Sequence, residues 1–206
     1  MRLYKQLIII ILVSLFLSAC SSSNSRYSMR HDAAPLRAPT ELEMQDAIVT
    51  QVIKSASTTR PYEVLGKRYT PMLDETGYSE TGIASWYGRK FHGYHTSNGE
   101  IYDMFAMTAA HKTLPLPSFV RVTNTANGKS IIVRVNDRGP FHDNRIIDLS
   151  YAAAYKLGYH KYGTAEVKLE AITLADTHAR KTYVQVAAGS TLANIEALAS
   201  TLREQY

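Results

Sequence analysis

The chain has 206 residues, 45% hydrophobic and 20% charged, the balance of an ordinary folded protein with room for one domain plus appendages. A formal net charge of +5 is only mildly basic and comes without the clustered Lys/Arg stripe of a nucleic-acid binder, so nucleic acid is not an expected partner. One cysteine excludes an intramolecular disulfide and any multi-cysteine zinc or iron–sulfur site. Tyr 14 against Phe 5 and Trp 1 suits a surface that meets carbohydrate or protein, and equally a barrel with half-buried tyrosines.

Residues 1–19 have the parts of an export signal. Arg2 and Lys5 give a positive start, and an apolar run from Leu7 to Leu17 is broken only by Ser14. That run is short of the roughly 20 apolar residues that span a bilayer. It ends in Leu17-Ser18-Ala19-Cys20, which resembles a bacterial lipobox. The resemblance implies cleavage before Cys20 and acylation of its thiol and new amino group. Ser21 stands where an inner-membrane retention signal would carry Asp, so the expected station is the outer membrane, facing the periplasm.

Residues 20–76 read as a lipidated tether followed by an edge-packing segment. The first part is polar and small with two prolines, as a flexible linker is. Thr40-Glu41-Leu42-Glu43 fits a capping box that would open a short helix through about residue 55. Residues 60–71, with scattered aromatics, are expected to pack along the domain's edge outside its core. From 77 to 175 the texture changes to short runs rich in β-branched and aromatic residues, at 82–87, 119–124, 130–136 and 165–172. The second and third flank an Asn-Gly signal at Asn127-Gly128 and predict a hairpin. Asp148-Leu149-Ser150 leads into a short helix, Ser150 its N-cap and Gly158 its stop. Small strands at close spacing with one short helix predict a mainly β, compact barrel. Residues 182–206 add one alternating strand and one amphipathic helix, too little to close a core alone.

Within the barrel region stand Gly82-Ile-Ala-Ser-Trp-Tyr-Gly88, Phe91-His-Gly93, Thr96-Ser-Asn-Gly-Glu100, Thr108-Ala-Ala-His111, Leu114-Pro-Leu-Pro117, Val133-Arg-Val-Asn-Asp-Arg-Gly-Pro140 and Asp148-Leu-Ser150. In this order they resemble the rare lipoprotein A family. The resemblance implies a six-stranded double-psi β-barrel on an outer-membrane lipoprotein. It also implies septal lytic transglycosylase activity on peptidoglycan, acting without a cofactor, as a monomer; some members bind the wall without cutting it. The 182–206 segment resembles the first half of a sporulation-related repeat domain, which binds peptide-free glycan.

Glycosidic cleavage needs a proton delivered to the leaving oxygen as an oxocarbenium-like centre develops. A lytic transglycosylase needs one carboxyl for this, because the sugar's C6 hydroxyl is the nucleophile. Asp137, between a strand and a Gly-Pro turn, is the candidate, against a turn Asp that caps its own backbone. Arg138 beside it would depress an acid that should be raised, unless strand geometry turns the two side chains apart. Glu100 and His111 match positions the family implicates in activity, Glu100 to hold the proton on Asp137 and His111 to orient a carboxylate or hydroxyl. A solvated turn glutamate and a hydrogen-bonded barrel histidine are their alternatives. Trp86, Tyr87, Phe91 and Tyr94 offer a sugar-stacking platform or ordinary core; Asn136 and Arg138 are glycan-contact candidates. Asp148 reads as a helix cap. His92 and His95 flank a glycine with no helix to align them, so no metal is expected. Besides the transglycosylase stand a non-catalytic wall binder and a hydrolase with a second acid at hydrolytic spacing.

Overall fold

The computed structural model describes residues 26–54 and 56–174. The expected signal region 1–19, Cys20 and the strand–helix segment 182–206 lie outside the described residues. In chain order the elements are β1 (Tyr62–Val64), β2 (Lys67–Tyr69), β3 (Ser79–Tyr87), β4 (Thr108–His111), β5 (Ser118–Asn124), β6 (Ser130–Asp137), β7 (Arg145–Ser150), α1 (Tyr151–Leu157) and β8 (Thr164–Ile172).

Strands β3 to β8 close a barrel in the order β3-β7-β4-β6-β5-β8. Two pairings are parallel, β3 with β7 and β4 with β6, and the rest are antiparallel. This is the double-psi arrangement that the family resemblance implies. The hairpin β5–β6 pairs Val122 with Ile131 and Val120 with Val133, as its Asn-Gly connection predicted. Alternation puts Val120, Val122, Val133 and Val135 wholly inside, where they meet Ile147, Leu149, Val167 and Leu169. Burying each such side chain contributes roughly 1.5–3 kcal/mol, so the barrel interior is the main source of stability.

Helix α1 closes one side. Ser150 Oγ accepts from Ala153 N at 3.2 Å, and Gly158 ends the helix at φ 83°. Its three alanines are fully buried against the barrel. The β5–β6 loop reaches over to satisfy the helix end, with Asn124 Nδ2 and Asn127 Nδ2 both donating to Leu157 O.

Local structure departs from these expectations in places and adds to them in others. The capping box at Thr40 forms, Glu43 N donating to Thr40 Oγ1 and Thr40 N to the Glu43 carboxylate, yet it opens only a turn and no helix follows. Arg37 clamps the same carboxylate, and the chain beyond is drawn onto the barrel by Ala47 N donating to Ile132 O and by Lys156 pairing with Asp46. A weak apolar face cannot recover the cost of nucleating a helix against those contacts. Residues 60–71 form the separate β1–β2 hairpin. Residues 108–111 and 145–150 are strands. Thr-Ala-Ala-His is a poor strand former in isolation, and β4 exists because β6 and β7 pair with it on both sides.

Nor is the segment from residue 26 a free tether. Asp32 Oδ2 accepts from Gly88 N at 2.7 Å and its Oδ1 from Lys90 N at 3.0 Å, while Arg89 N donates to Ala33 O. Tyr27 packs edge-on against Phe91 and Tyr94. A Cβ on Gly88 would sit 2.4 Å from the backbone oxygen of Ala33, so the docking requires glycine there. Gly88→Ala should therefore release this strap and leave the barrel folded. Hydrogen exchange is expected to speed up at residues 26–38 and stay unchanged in β5 and β6.

Candidate active site

A cleft of about 1160 Å³ opens at one end of the barrel. The barrel supplies its floor, through Trp86, Tyr87, Ala110 and the loop from Asp137 to Phe141. The strap supplies one wall with Arg26, Tyr27 and Asp32, and the segment from Ser57 to Leu65 supplies another.

Asp137 is the last residue of β6 and lines this cleft. Its Oδ1 accepts from Ser97 N at 2.8 Å, Ser97 Oγ at 2.6 Å and Arg138 N at 2.8 Å. Among the described residues no donor reaches Oδ2. One oxygen is saturated and fixes the group's orientation, so a transferable proton must ride on the other. The turn that brings Ser97 there is self-supporting. Gly99 N donates to Thr96 O, Thr96 Oγ1 to Asn98 Oδ1, and Gly99 takes φ 91°, which a side chain would resist.

Glu100 and Asn136 match the site motif in sequence, but neither lines the cleft. Arg134 and Asn136 alternate along β6 with Val133 and Val135, whose side chains fill the core, so they point outward. There Glu100 accepts from Arg134 Nη2 at 2.7 Å, Asn136 Nδ2 at 2.8 Å and Asn98 Nδ2 at 2.8 Å. Burial pushes the Glu100 carboxyl up, but the hydrogen bonds from Arg134, Asn136 and Asn98, with the Arg134 charge, outweigh it and hold the group below the usual glutamate value. Glu100 is thus an ionised clasp on the turn that carries Ser97, and Asn136 its buried partner rather than a sugar contact.

His111 is buried behind the floor and is 3% exposed. Its Nδ1 accepts from Thr113 N at 3.1 Å and Leu114 N at 3.0 Å, which leaves the ring proton on Nε2, facing Tyr78 Oη at 3.0 Å. It is the hydrogen-bonded barrel histidine. Burial chiefly, with the charges of Arg138 and Lys112, lowers its pKa from 6.5 to about 3. Arg138 turns away from Asp137, as strand geometry predicted. Its guanidinium donates to the carbonyls of His111, Leu114 and Thr58, so it staples the 57–62 segment to the acid loop.

Ser150 is the N-cap, as expected, and the further capping role expected of Asp148 before the helix is not formed. Asp148 lies on β7 and lines the cleft, with Ser85 Oγ donating to its carboxylate. Burial raises its carboxyl above the usual range; the Ser85 hydrogen bond and the Arg145 and Lys112 charges oppose the rise without cancelling it, and the Asp32 charge adds to it. The signal in the sequence was the alternation Ile147-Asp148-Leu149, a lone acid between two core positions. Of the aromatic platform, Trp86, Tyr87 and Phe91 line the cleft, whereas Tyr94 holds Tyr27. Trp86 is fixed by Nε1 donating to His160 O, and Tyr87 is stacked on Tyr102 at 3.9 Å. The His92 and His95 rings have separate partners, Met104 N and Gly99 O.

The His111 burial sets a pH dependence. The neutral ring is favoured in the folded chain, so its contribution is complete above about pH 6.5 and is lost as pH falls toward 3. Thermal melts should show Tm falling from pH 6.5 to pH 4, with a shallower slope in His111→Gln.

Comparison with known proteins gives a consistent picture. The family model described as Lytic transglycolase matches residues 79–169, which is the barrel. A Vibrio cholerae protein, endolytic peptidoglycan transglycosylase RlpA, is 48% identical over 210 residues, covering 98% of this chain and 78% of that protein. Proteins of the same name from Neisseria meningitidis and Pseudomonas aeruginosa are 65% and 53% identical, covering 62% and 78% of this chain. The chain spans about half the length of these two, 53% and 51%.

Proposed function

The chain belongs to the RlpA family of endolytic peptidoglycan transglycosylases, and from that premise we propose that it cuts the MurNAc–GlcNAc bond of peptidoglycan strands with Asp137 as the sole proton carrier. The observation that carries this reading is the Asp137 carboxyl on the cleft lining, with Oδ1 pinned by three donors and, among the described residues, no donor on Oδ2.

The protonated Asp137 gives its Oδ2 proton to the glycosidic oxygen as the C1–O bond breaks, and the GlcNAc hydroxyl departs. Positive charge develops at C1 of MurNAc beside the new carboxylate. That carboxylate then takes the C6 hydroxyl proton while O6 bonds to C1, which restores the acid and leaves a 1,6-anhydro end. No water enters the balance. A hydrolase would need a second, ionised carboxylate to activate water. The other carboxyl described above on the cleft floor, Asp148, is shifted by burial toward its neutral form, which suits a hydrogen-bond donor to substrate better than a base. The half-buried rings of Trp86 and Phe91 offer surface for sugar stacking, with buried Tyr87 behind them. Glu100, His111, Asn136 and Arg138 are positioning residues in this reading, since each holds the turn or the loop on which the acid depends.

The lipobox at Cys20 supports an outer-membrane lipoprotein whose barrel works in the periplasm, and family membership supports a setting in septal wall remodelling.

Asp137→Asn keeps the shape and most of the clasp but removes the titrating group. Release of anhydro-muropeptides from purified glycan should fall by at least about 10²–10⁴ with unchanged melting, whereas Asp148→Asn, which imitates a neutral acid, should cost less than about tenfold. Equal activity in Asp137→Asn and wild type would remove Asp137 from the mechanism. For the anchor, Cys20→Ser should leave the chain out of the outer-membrane fraction and unlabelled by radioactive palmitate; unchanged labelling contradicts the lipobox.

A further inference from the structure

The β1–β2 hairpin lies outside the barrel and outside the matched family region, yet it forms part of the cleft wall. Its stem is fastened to the loop that leaves Asp137. Tyr62 Oη donates to Lys112 O at 2.7 Å, and the Tyr62 and Tyr69 rings stack at 5.3 Å. Phe141 closes against both rings, and the Arg138 guanidinium lies 5.7 Å from the Tyr62 ring centre. The stem is therefore positioned by the same loop that carries the acid.

The tip does not follow the logic of the stem. Leu65 and Gly66 connect the strands with φ of 53° and 75°, a two-residue turn in which both positions are left-handed. Glycine suits this, and asparagine is the common partner before it. Leucine is among the residues least suited, because its Cβ crowds the following carbonyl. Burial does not offset that strain, since Leu65 is 88% exposed. Leu65 nevertheless lines the cleft, together with Val64. A strained, unburied leucine contributes nothing to the fold that a turn-forming residue would not contribute better. Residues held in this way are expected where a ligand is clamped.

We propose that Leu65 is a substrate-binding residue that presses on the glycan strand beyond the scissile bond, meeting the C–H faces of its pyranose rings and its N-acetyl methyl groups. The proposal rests on the peptidoglycan reading of the cleft. The hairpin then sets affinity for a polymeric strand, and the chemistry stays with Asp137.

Leu65→Gly and Leu65→Asn in the full chain test this, because fold and function should move in opposite directions. Both variants should melt at the same temperature as wild type or higher. Both should bind peptide-free glycan strands more weakly by about 5- to 20-fold in Kd and raise KM to match, with kcat changed by less than about twofold. Unchanged Kd and KM in both variants beside an active wild type would overturn the proposal. A lower melting temperature in both would overturn it as well, by making Leu65 a structural residue. A wild type that releases no anhydro ends would contradict the transglycosylase reading instead, and the strand-binding Kd would still decide the role of Leu65.

Discussion

One carboxylate oxygen organises this end of the barrel. Asp137 Oδ1 receives Ser97 N, Ser97 Oγ and Arg138 N, and Ser97 Oγ in turn accepts from Arg138 N at 3.2 Å. The contact ties the 96–100 turn to the end of β6. Around it the polar residues fall into place as supports: Glu100 and Asn136 hold the turn from outside, and Arg138 carries the hold onward to His111, Leu114 and Thr58. Charge-assisted bonds of this kind are stronger than neutral ones, and a carboxyl with one oxygen so fixed has little freedom left in the other. That fixed orientation is what general acid catalysis requires, because proton transfer depends on reach before it depends on pKa.

The cleft is built from more than the barrel. The strap docks through the backbone amides of Gly88 and Lys90 onto the Asp32 carboxylate, and the hairpin docks through aromatic faces onto the acid loop. Both precede the region matched by the family model. A barrel cut to that region would keep Asp137 and lose those two walls. The Asp32 charge also reaches Asp148, so the strap contributes to the electrostatics of the floor as well as to its shape.

Legibility in the sequence followed the physics of each element. Strands β5 and β6 could be read because Val and Ile alternate there, and the helix because Ser150 and Gly158 bracket it with matched caps. Strands β4 and β7 could not, since Thr-Ala-Ala-His owes its conformation to neighbours on both sides, and Asp148-Leu149-Ser150 looked like the approach to a helix. Asp137 was found through its motif. Ser97, which holds it, has no role legible in its Thr96-Ser-Asn-Gly-Glu100 motif, for the contact joins residues 40 apart. The motifs of Glu100 and His111 point to a part in the chemistry beside Asp137, whereas the fold places their side chains under the turn and behind the floor. The strap was illegible because Asp32 is received by main-chain amides, which carry no sequence signature.

The central claim is that the bond is broken without water, with one carboxyl moving both protons. Digestion of purified glycan in H₂¹⁸O tests it most directly, with mass analysis of the newly formed ends. The account predicts anhydro-muramyl ends that contain no ¹⁸O. Reducing ends carrying ¹⁸O at C1 would contradict it and make the cleft that of a hydrolase.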